Sequence, residues 1–448
     1  MASQRGYRHS ADRKLARLGQ RLDRQWRDRV RTLPVSDGTW SYSRMRRAGD
    51  PVEGWKLHVS ATQLTAGETL SRVRRTLRAF DALFKVPTKL EFLSFLNSGL
   101  GGFSQVGKFL TIYPQSKAEA LLLARKLHEL TTGMSAPVIP YDRRYRCRSV
   151  VYYRHGSFLN PAATLPGHNK MRDLASSSRD RRGRARAVPT GLHDPFTTGR
   201  DRSRRIRGPI GRDYLPYKAL MQRGKGGVYE AIDLSVMPAR VVIIKEGRRH
   251  GETGLRGDDG RDRVHREAAV LRSLRAAGIP VPQVLREFTQ TGNRYVVLEM
   301  IGGRRLIGRD RTHPIAVGWR SAQRVLERLE PVMRRMHDAG WVWRDCKPSH
   351  IFNEKGGVRL IDFEGACRIN DDARFPWGTH SYTPPGYRQR FVLRRPGTLE
   401  DNYALGVIAF QFLAGRFPPE SESARARVYR RTRCPASLRE RIERLLGS

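Results

Sequence analysis

Between Trp343 and Ala366 the chain reads WRDCKPSHIFNEKGGVRLIDFEGA, and this stretch decides how everything downstream of about Leu215 is read. It places two carboxylates, Asp345 and Asp362, on either side of Lys347 and His350. Phosphoryl transfer from ATP needs a cover over the phosphates, a cation on them, carboxylates for a divalent metal and a group that orients the nucleophilic hydroxyl. Candidates for the remaining parts lie upstream in order. GKGGVYEA (Gly224 to Ala231) sits between strand-like segments, and Gly224, Gly226 and Gly227 would let backbone N–H groups approach phosphate oxygens. The apolar run from Val241 reads as a strand ending in Lys245, and Glu267 lies in the helical run HREAAVLRSL. A strand lysine paired with a helix glutamate would hold the α- and β-phosphates.

With these segments in this order, the region resembles the protein-kinase superfamily. The similarity extends over Tyr295 to Glu299 as the hinge strand, with Glu299 and Ile301 at the nucleotide, over GTHSYTPPGY (Gly378 to Tyr387) as the end of the activation segment, and over DNYALGV with Asp401 as the buried helix of the large lobe. The resemblance implies ATP and Mg²⁺ as cofactors. It also implies that Asp345 orients or deprotonates the substrate hydroxyl, that Lys347 neutralises the γ-phosphate, and that Asp362 binds metal with His350 at the second metal position. Four positions depart from the pattern: Trp343 stands for the usual His, His350 for the metal-binding Asn, Glu364 for the Gly of DFG and Gly386 for the Glu of APE. Neutral imidazole can ligate a divalent ion, whereas Mg²⁺ prefers oxygen. These departures keep open an alternative reading, a regulatory pseudokinase or scaffold that binds phosphopeptides without turnover.

Upstream, GWKLHVSAT puts Lys56 and His58 two residues apart on a strand, so both side chains leave by the same face. LFKVP supplies Lys85 in an apolar setting that favours the amine a general base needs. GFSQVGKFLTIYP adds Ser104, Lys108 and Tyr113, and VVYYRHGSF adds Arg154. Several cations with one histidine suit β-elimination of phosphate from a phosphorylated Ser or Thr. A lysine takes the Cα proton, imidazolium protonates the departing bridging oxygen, and the other cations hold the dianion.

In their order, GWKLHVSAT, FKV, SQVGKFLTIYP and YYRHG resemble the N-terminal lyase domain of class III and class IV lanthionine synthetases, which is in turn similar to the phosphothreonine lyase effectors of bacterial pathogens. The similarity spans about Gly54 to Phe158, and in those synthetases a kinase domain follows. The resemblance implies Lys56 and Arg154 on phosphate, with Lys108 as an additional cation, His58 as general acid and Lys85 as general base. The family normally continues into a LanC-like cyclase that in many members holds zinc through cysteine and histidine. This chain ends at Ser448 and carries no such ligand set, so a separate LanC-like cyclase is the expected partner, beside a ribosomal precursor peptide as substrate.

Composition frames these readings. A chain of 448 residues exceeds what one hydrophobic core fills, so more than one domain is expected. The fold class expected is α+β: a basic helical segment (1–50), a lyase-like α+β domain (51–160), an Arg/Gly/Ser-rich linker (161–213) and a bilobal kinase-like domain with a short C-lobe (214–448). The first segment carries Leu15, Leu18, Leu22, Trp26 and Val30 at helical spacing, which predicts an amphipathic helix over Ser10 to Leu33. Cys147, Cys346, Cys367 and Cys434 are far apart and form no zinc or disulfide pattern. No apolar run is long enough for a membrane span and no signal core opens the chain, so a cytoplasmic location is expected. The 85 Lys and Arg against 43 Asp and Glu give a net charge of +42. That excess is read either as arginine spread by codon bias or as attraction for an anionic partner, such as an acidic leader segment of the precursor. Nucleic acid is the least favoured partner, since no zinc-finger, RRM or helix-turn-helix signature is present.

Overall fold

The structure, a computed structural model, describes residues 2–158, 187–197, 209–307, 317–371, 377–387 and 396–447, with side chains from residue 14 onward. The chain divides into two compact units. One comprises Met1–Arg240, Ile244–Asp262 and Phe288–Tyr295; the other comprises Val241–Ile243, Arg263–Glu287 and Val296–Ser448. Among the described residues, no helix is long and apolar enough to cross a membrane, and all four cysteines are free thiols.

The first unit is built on a seven-stranded sheet in the order β1-β2-β4-β5-β3-β7-β6, with every adjacent pair antiparallel. Its strands are β1 (Val35–Ser36), β2 (Trp40–Tyr42), β3 (Glu53–Val59), β4 (Leu83–Pro87), β5 (Leu110–Tyr113), β6 (Arg143–Arg144) and β7 (Val151–Ser157). Strand alternation sends Leu57, Val59, Phe84, Val86, Ile112 and Val151 to one face, where they are buried. Against that face lie α1 (Ala2–Arg31), α2 (Ala66–Ala79), α3 (Leu90–Ser98) and α4 (Lys117–Leu130). Leu70, Val73 and Leu77 of α2 recur at helical spacing and form its buried stripe. The Ser116 hydroxyl caps α4 by accepting the Glu119 N–H.

The segment 1–50 is not the separate element expected from its charge. It supplies β1 and β2 to the sheet, and α1 begins well before Ser10. Trp26 (1% exposed) and Val30 join the core, and the Trp26 indole N–H donates to the Pro87 carbonyl at 3.1 Å. An apolar stripe with an indole cannot stay in water beside an open sheet face, and that outweighs the arginines on its other sides. The expected linker, 161–213, lies largely outside the described residues. Of its described parts, 187–197 and 209–213, the first is not bare linker: Val188 and Phe196 enter the same core, and Phe196 stacks on Tyr153 with ring centroids 4.1 Å apart.

A second, five-stranded sheet follows, in the order β11-β12-β10-β9-β8. Its strands are β8 (Tyr214–Gln222), β9 (Gly226–Asp233), β10 (Arg240–Gly247), β11 (Val284–Gln290) and β12 (Asn293–Glu299). Within the first unit, the glycine-rich β8–β9 turn is fastened to the end of α3. Gly224 N–H donates to the Ser98 carbonyl at 2.9 Å, Arg223 to the Gly99 carbonyl at 3.3 Å, and the Arg248 guanidinium lies 4.7 Å from the Phe103 ring centroid. The glycines of this turn therefore serve close backbone packing. A Cβ on Gly224 would lie 1.6 Å from the Asn97 carbonyl oxygen, and one on Gly226 would lie 1.7 Å from that of Glu246.

The second unit is mostly helical: α5 (Gly260–Ala276, from Arg263), α6 (Trp319–Asp338), α7 (Thr398–Ala414), α8 (Glu422–Arg431) and α9 (Ala436–Leu446). Two small sheets are formed, one by β13 (Arg304–Arg305), β15 (Ile351–Glu354) and β16 (Gly357–Leu360), the other by the pair β14 (Trp341–Val342) with β17 (Cys367–Arg368). Val325, Leu329, Met333 and Met336 of α6 face the core, as their spacing predicts.

Gly224→Ala is expected to lower the unfolding free energy by about 1–3 kcal/mol or more, because the Asn97 carbonyl is backbone and cannot swing aside. Gly49→Ala, where a Cβ meets open space, should change it by less than about 0.5 kcal/mol. Urea unfolding of the two variants checks this, and equal effects would contradict the packing.

Candidate active sites

The polar face of the seven-stranded sheet carries one continuous row. Register pairs Tyr42 with Lys85, Lys85 with Thr111, Thr111 with His58, His58 with Tyr152 and Tyr152 with Arg144. Residues directly opposite each other share a face, so six strands aim one line of side chains at the same side. Lys56 and Arg154, also paired, stand two residues along from His58 and Tyr152 and therefore point the same way. The Lys85 ammonium lies 4.2 Å from the centroid of the Trp40 ring, and that of Lys56 is 5.9 Å from the rings of both Tyr113 and Phe158. The two lysines thus sit on aromatic platforms that steer their ends.

Asp142 gathers this face. Its side chain has no exposed area; its Oδ2 lies 2.6 Å from His58 Nδ1 and its Oδ1 3.5 Å from Arg154. Lys108, 8% exposed, is close enough to act electrostatically on both His58 and Asp142. Burial pushes the Asp142 carboxyl up, but Lys108, His58 and Arg154 outweigh it and hold the group below the usual carboxylate range. Burial pulls the His58 imidazole down to about 4, against Asp142, which favours its charged form. Because a carboxylate only accepts, His58 Nδ1–H donates to Asp142 and Nε2 is the nitrogen left for a substrate.

His58, Lys108 and Arg154 therefore come together around one carboxylate, Lys56 stands beside Arg154 and acts on His58, and Lys85 stands in the same row as His58. Sequence reasoning missed Asp142, which lies 84 residues from His58 in a loop with nothing local to mark it. Asn97 was also missed. Its side chain donates to the Ala61 carbonyl at 3.0 Å and accepts the Gly107 N–H at 3.0 Å, so it braces the segments that carry His58 and Lys108.

In the second unit the catalytic-loop stretch is anchored by Asp401, a fully buried carboxylate on α7. It accepts the N–H groups of Trp343 at 2.8 Å and Arg344 at 2.7 Å, and lies 3.0 Å from His337 Nε2. Arg344 (φ 70°) and Asp362 (φ 66°) take left-handed backbone conformations, which non-glycine residues hold only where the surroundings over-determine them. Downstream of that anchor, Asp345, Lys347 and Thr379 form a closed ring. Lys347 Nζ donates to Asp345 Oδ2 at 3.0 Å and to Thr379 Oγ1 at 2.8 Å, and the Thr379 hydroxyl donates to Asp345 Oδ1 at 2.9 Å. Thr379 lies in the quoted activation segment but was not singled out.

The departures noted in the sequence find places here. The Trp343 indole N–H donates to the Asp362 carbonyl at 3.0 Å, and its ring stacks on Phe363 with centroids 5.2 Å apart, so the catalytic and metal loops remain tied. Glu364 pairs with Arg263 at 3.6 Å. His350, 9% exposed, lies with Nδ1 3.1 Å from the Asp345 carbonyl and Nε2 3.3 Å from Asp362 Oδ2. Burial lowers the His350 pKa, against Asp362, which favours its charged form. Asp345, His350 and Asp362 each offer one ligand atom within 4.8 Å of the others, a donor set of nitrogen and oxygen that fits a divalent ion.

The other sequence candidates are placed as follows. Glu267 on α5 accepts the Phe363 N–H at 3.0 Å. Glu299, at the end of β12, accepts from Arg359 at 2.9 Å and from the Gln283 N–H at 3.0 Å, and Ile301 is buried, so both side chains are committed to packing. Lys245 lies on β10 in the first unit, on the face opposite buried Val242 and Ile244. A Cβ on Gly227 would lie 2.6 Å from the Tyr229 hydroxyl, which donates at 2.8 Å to the buried Glu246.

The depressed His58 pKa sets a sign for stability. Between about pH 6.5 and 4 the unfolded chain binds a proton that the folded site refuses, so stability falls as pH falls through that window. The wild-type chain should lose about 2 kcal/mol more than His58→Gln on going from pH 7 to pH 5, measured by urea unfolding. Equal losses would show that the imidazole is not held neutral.

The protein kinase domain family matches residues 221–444, and the family described as RamC, N-terminal domain matches residues 16–207. Over 398 residues the chain is 30% identical to the probable SapB synthase of Streptomyces coelicolor, covering 83% of this chain and 40% of that protein. Over 215 residues it is 29% identical to serine/threonine-protein kinase C of Synechocystis, covering 45% of this chain and 39% of that one. Over 153 residues it is 31% identical to citron rho-interacting kinase of Rattus norvegicus, covering 32% and 7%. The chain thus spans less than half the length of each of these relatives. With a match over half its length, it belongs to the protein kinase domain family, a kinase domain that here follows a RamC-type N-terminal domain.

Proposed function

We propose that the chain is a bifunctional peptide dehydratase of lanthipeptide type. Its kinase domain phosphorylates Ser or Thr of a ribosomal precursor peptide with ATP, and its N-terminal domain eliminates that phosphate to leave dehydroalanine or dehydrobutyrine. The observation that carries this reading is Lys108 and Arg154 gathered with His58 about buried Asp142, with Lys56 beside Arg154 and Lys85 in the same row, in a chain whose other unit holds the Asp345–Lys347–Thr379 ring. The similarity to a probable SapB synthase supports it.

In the kinase half, Asp345 orients the peptide hydroxyl and Lys347 offers charge to the transferred phosphoryl group. Asp362 and His350 would hold a divalent ion, Mg²⁺ being the one the resemblance implies, which neutralises charge on the ATP phosphates. Gly224, Gly226, Gly227, Lys245, Glu267, Glu299 and Ile301 are assigned to the nucleotide by motif, Glu299 and Ile301 through their backbone. In the lyase half, Lys56, Lys108 and Arg154 bind the phosphate dianion. Lys85 Nζ takes the Cα proton, the Cα–Cβ double bond forms and the Cβ–O bond breaks. Protonated His58 Nε2 delivers its proton to the leaving oxygen, releasing inorganic phosphate. The bound dianion supplies the negative charge that turns the buried, neutral His58 into the acid. Asp142 is a positioning residue that fixes the imidazole tautomer.

Exposed Arg17, Arg21, Arg24, Arg27 and Arg31 on α1 would attract an acidic leader. A separate LanC-like cyclase would close thioether rings, and the cytoplasm, with ATP and reduced thiols, is the matching location.

Incubating the full chain with ATP, a divalent ion and a candidate precursor peptide should give first a gain of phosphate and then a net loss of water by mass. Lys85→Ala should stall the peptide at the phosphorylated stage and Asp345→Ala should leave it unmodified. Asp142→Asn should slow elimination by about 10²-fold or more while leaving phosphorylation intact. Dehydration by both Lys85→Ala and Asp345→Ala would refute the assignments.

A further inference from the structure

The imidazole at His350 changes which ion the catalytic loop suits. Its Nδ1 faces the Asp345 carbonyl at 3.1 Å, and a carbonyl only accepts, so the ring proton sits on Nδ1. Nε2 then presents a lone pair, and the atom it faces at 3.3 Å is Asp362 Oδ2, another acceptor. Two such acceptors stay this close only with a positive charge between them, which a proton or a metal ion supplies. An ion about 2.1 Å from each would see them about 100° apart, close to adjacent corners of an octahedron. Asp345 is committed elsewhere, with Oδ1 bound by Thr379 and Oδ2 by Lys347. Trp343, whose ring centroid is 6.4 Å from that of His350, and the tie from its indole to the Asp362 carbonyl hold the pair in register.

We propose that this position is built for a first-row transition ion, Mn²⁺, in preference to Mg²⁺, with His350 Nε2 and Asp362 Oδ2 as its protein ligands. The inference rests on the kinase half of the proposed function and refines its metal. Mg²⁺ demands an octahedron of oxygen ligands and gives up water reluctantly for nitrogen. Mn²⁺ shares with Mg²⁺ the charge and the taste for carboxylate and phosphate oxygen, and as a transition ion it accepts one imidazole nitrogen among those oxygens more readily than Mg²⁺ does. His350 is thereby a specificity-determining ligand.

The test uses the full chain with Mn²⁺ and a non-hydrolysable ATP analogue, read by electron spin-echo modulation. The wild-type chain should show coupling of Mn²⁺ to an imidazole nitrogen that His350→Asn lacks. In a competition series, His350→Asn should release Mn²⁺ at about tenfold lower Mg²⁺ than the wild-type chain. Identical nitrogen coupling in the two chains, or equal displacement by Mg²⁺, overturns the proposal. Phosphate incorporation into the peptide is scored separately. Incorporation without the nitrogen signal keeps the kinase reading and discards this one, and the signal without incorporation does the reverse.

Discussion

Asp142 is the charge around which the first site is assembled. A lone carboxylate with no exposed surface could not stay ionised by itself, since desolvation favours the neutral acid. Lys108, Arg154 and His58 reverse that outcome, and the carboxylate in turn limits the repulsion among cations crowded on one sheet face. Lys56 stands beside Arg154 on the same face, and Lys85 lies in the row that carries His58.

The sheet makes this possible because its two faces are held to different rules. Helices α1, α2 and α4 seal one face with aliphatic and aromatic side chains, which fixes the register of every strand. With register fixed, the row from Tyr42 to Arg144 follows on the other face without further instruction. The second unit solves a similar problem with backbone. Asp401 holds the N–H groups of Trp343 and Arg344, and the left-handed conformation at Arg344 is tolerated because that carboxylate repays it with two charge-assisted hydrogen bonds. The bend so held sets Asp345, Lys347 and His350 in their places.

Much of this was legible in the sequence where chemistry and local period coincide. The spacing of Lys56 and His58 gave a common face, and the stretch from Trp343 to Ala366 gave the order of the second site. What escaped reading was set by long-range packing. Asp142 and Thr379 act on partners 84 and 34 residues away, and neither stands in a local pattern that announces it. The glycines of the β8–β9 turn read as room for phosphate, and nothing in that reading showed that Gly224 and Gly226 also make room for the carbonyls of Asn97 and Glu246. The arginine content of the first 50 residues hid a stripe ending in Trp26 and Val30 that belongs to the core. Trp343 looked like a lost histidine, but an indole N–H reaches the Asp362 carbonyl and keeps the two loops joined.

The central claim is that the N-terminal domain removes phosphate from an alcohol that has already been phosphorylated, with no further need of ATP. Supplying the Asp345→Ala chain with a synthetic phosphoserine precursor peptide, in the absence of nucleotide, isolates that step. Release of inorganic phosphate matched one-for-one by dehydroalanine is the predicted result; intact phosphopeptide, or phosphate released with serine regenerated, would contradict it.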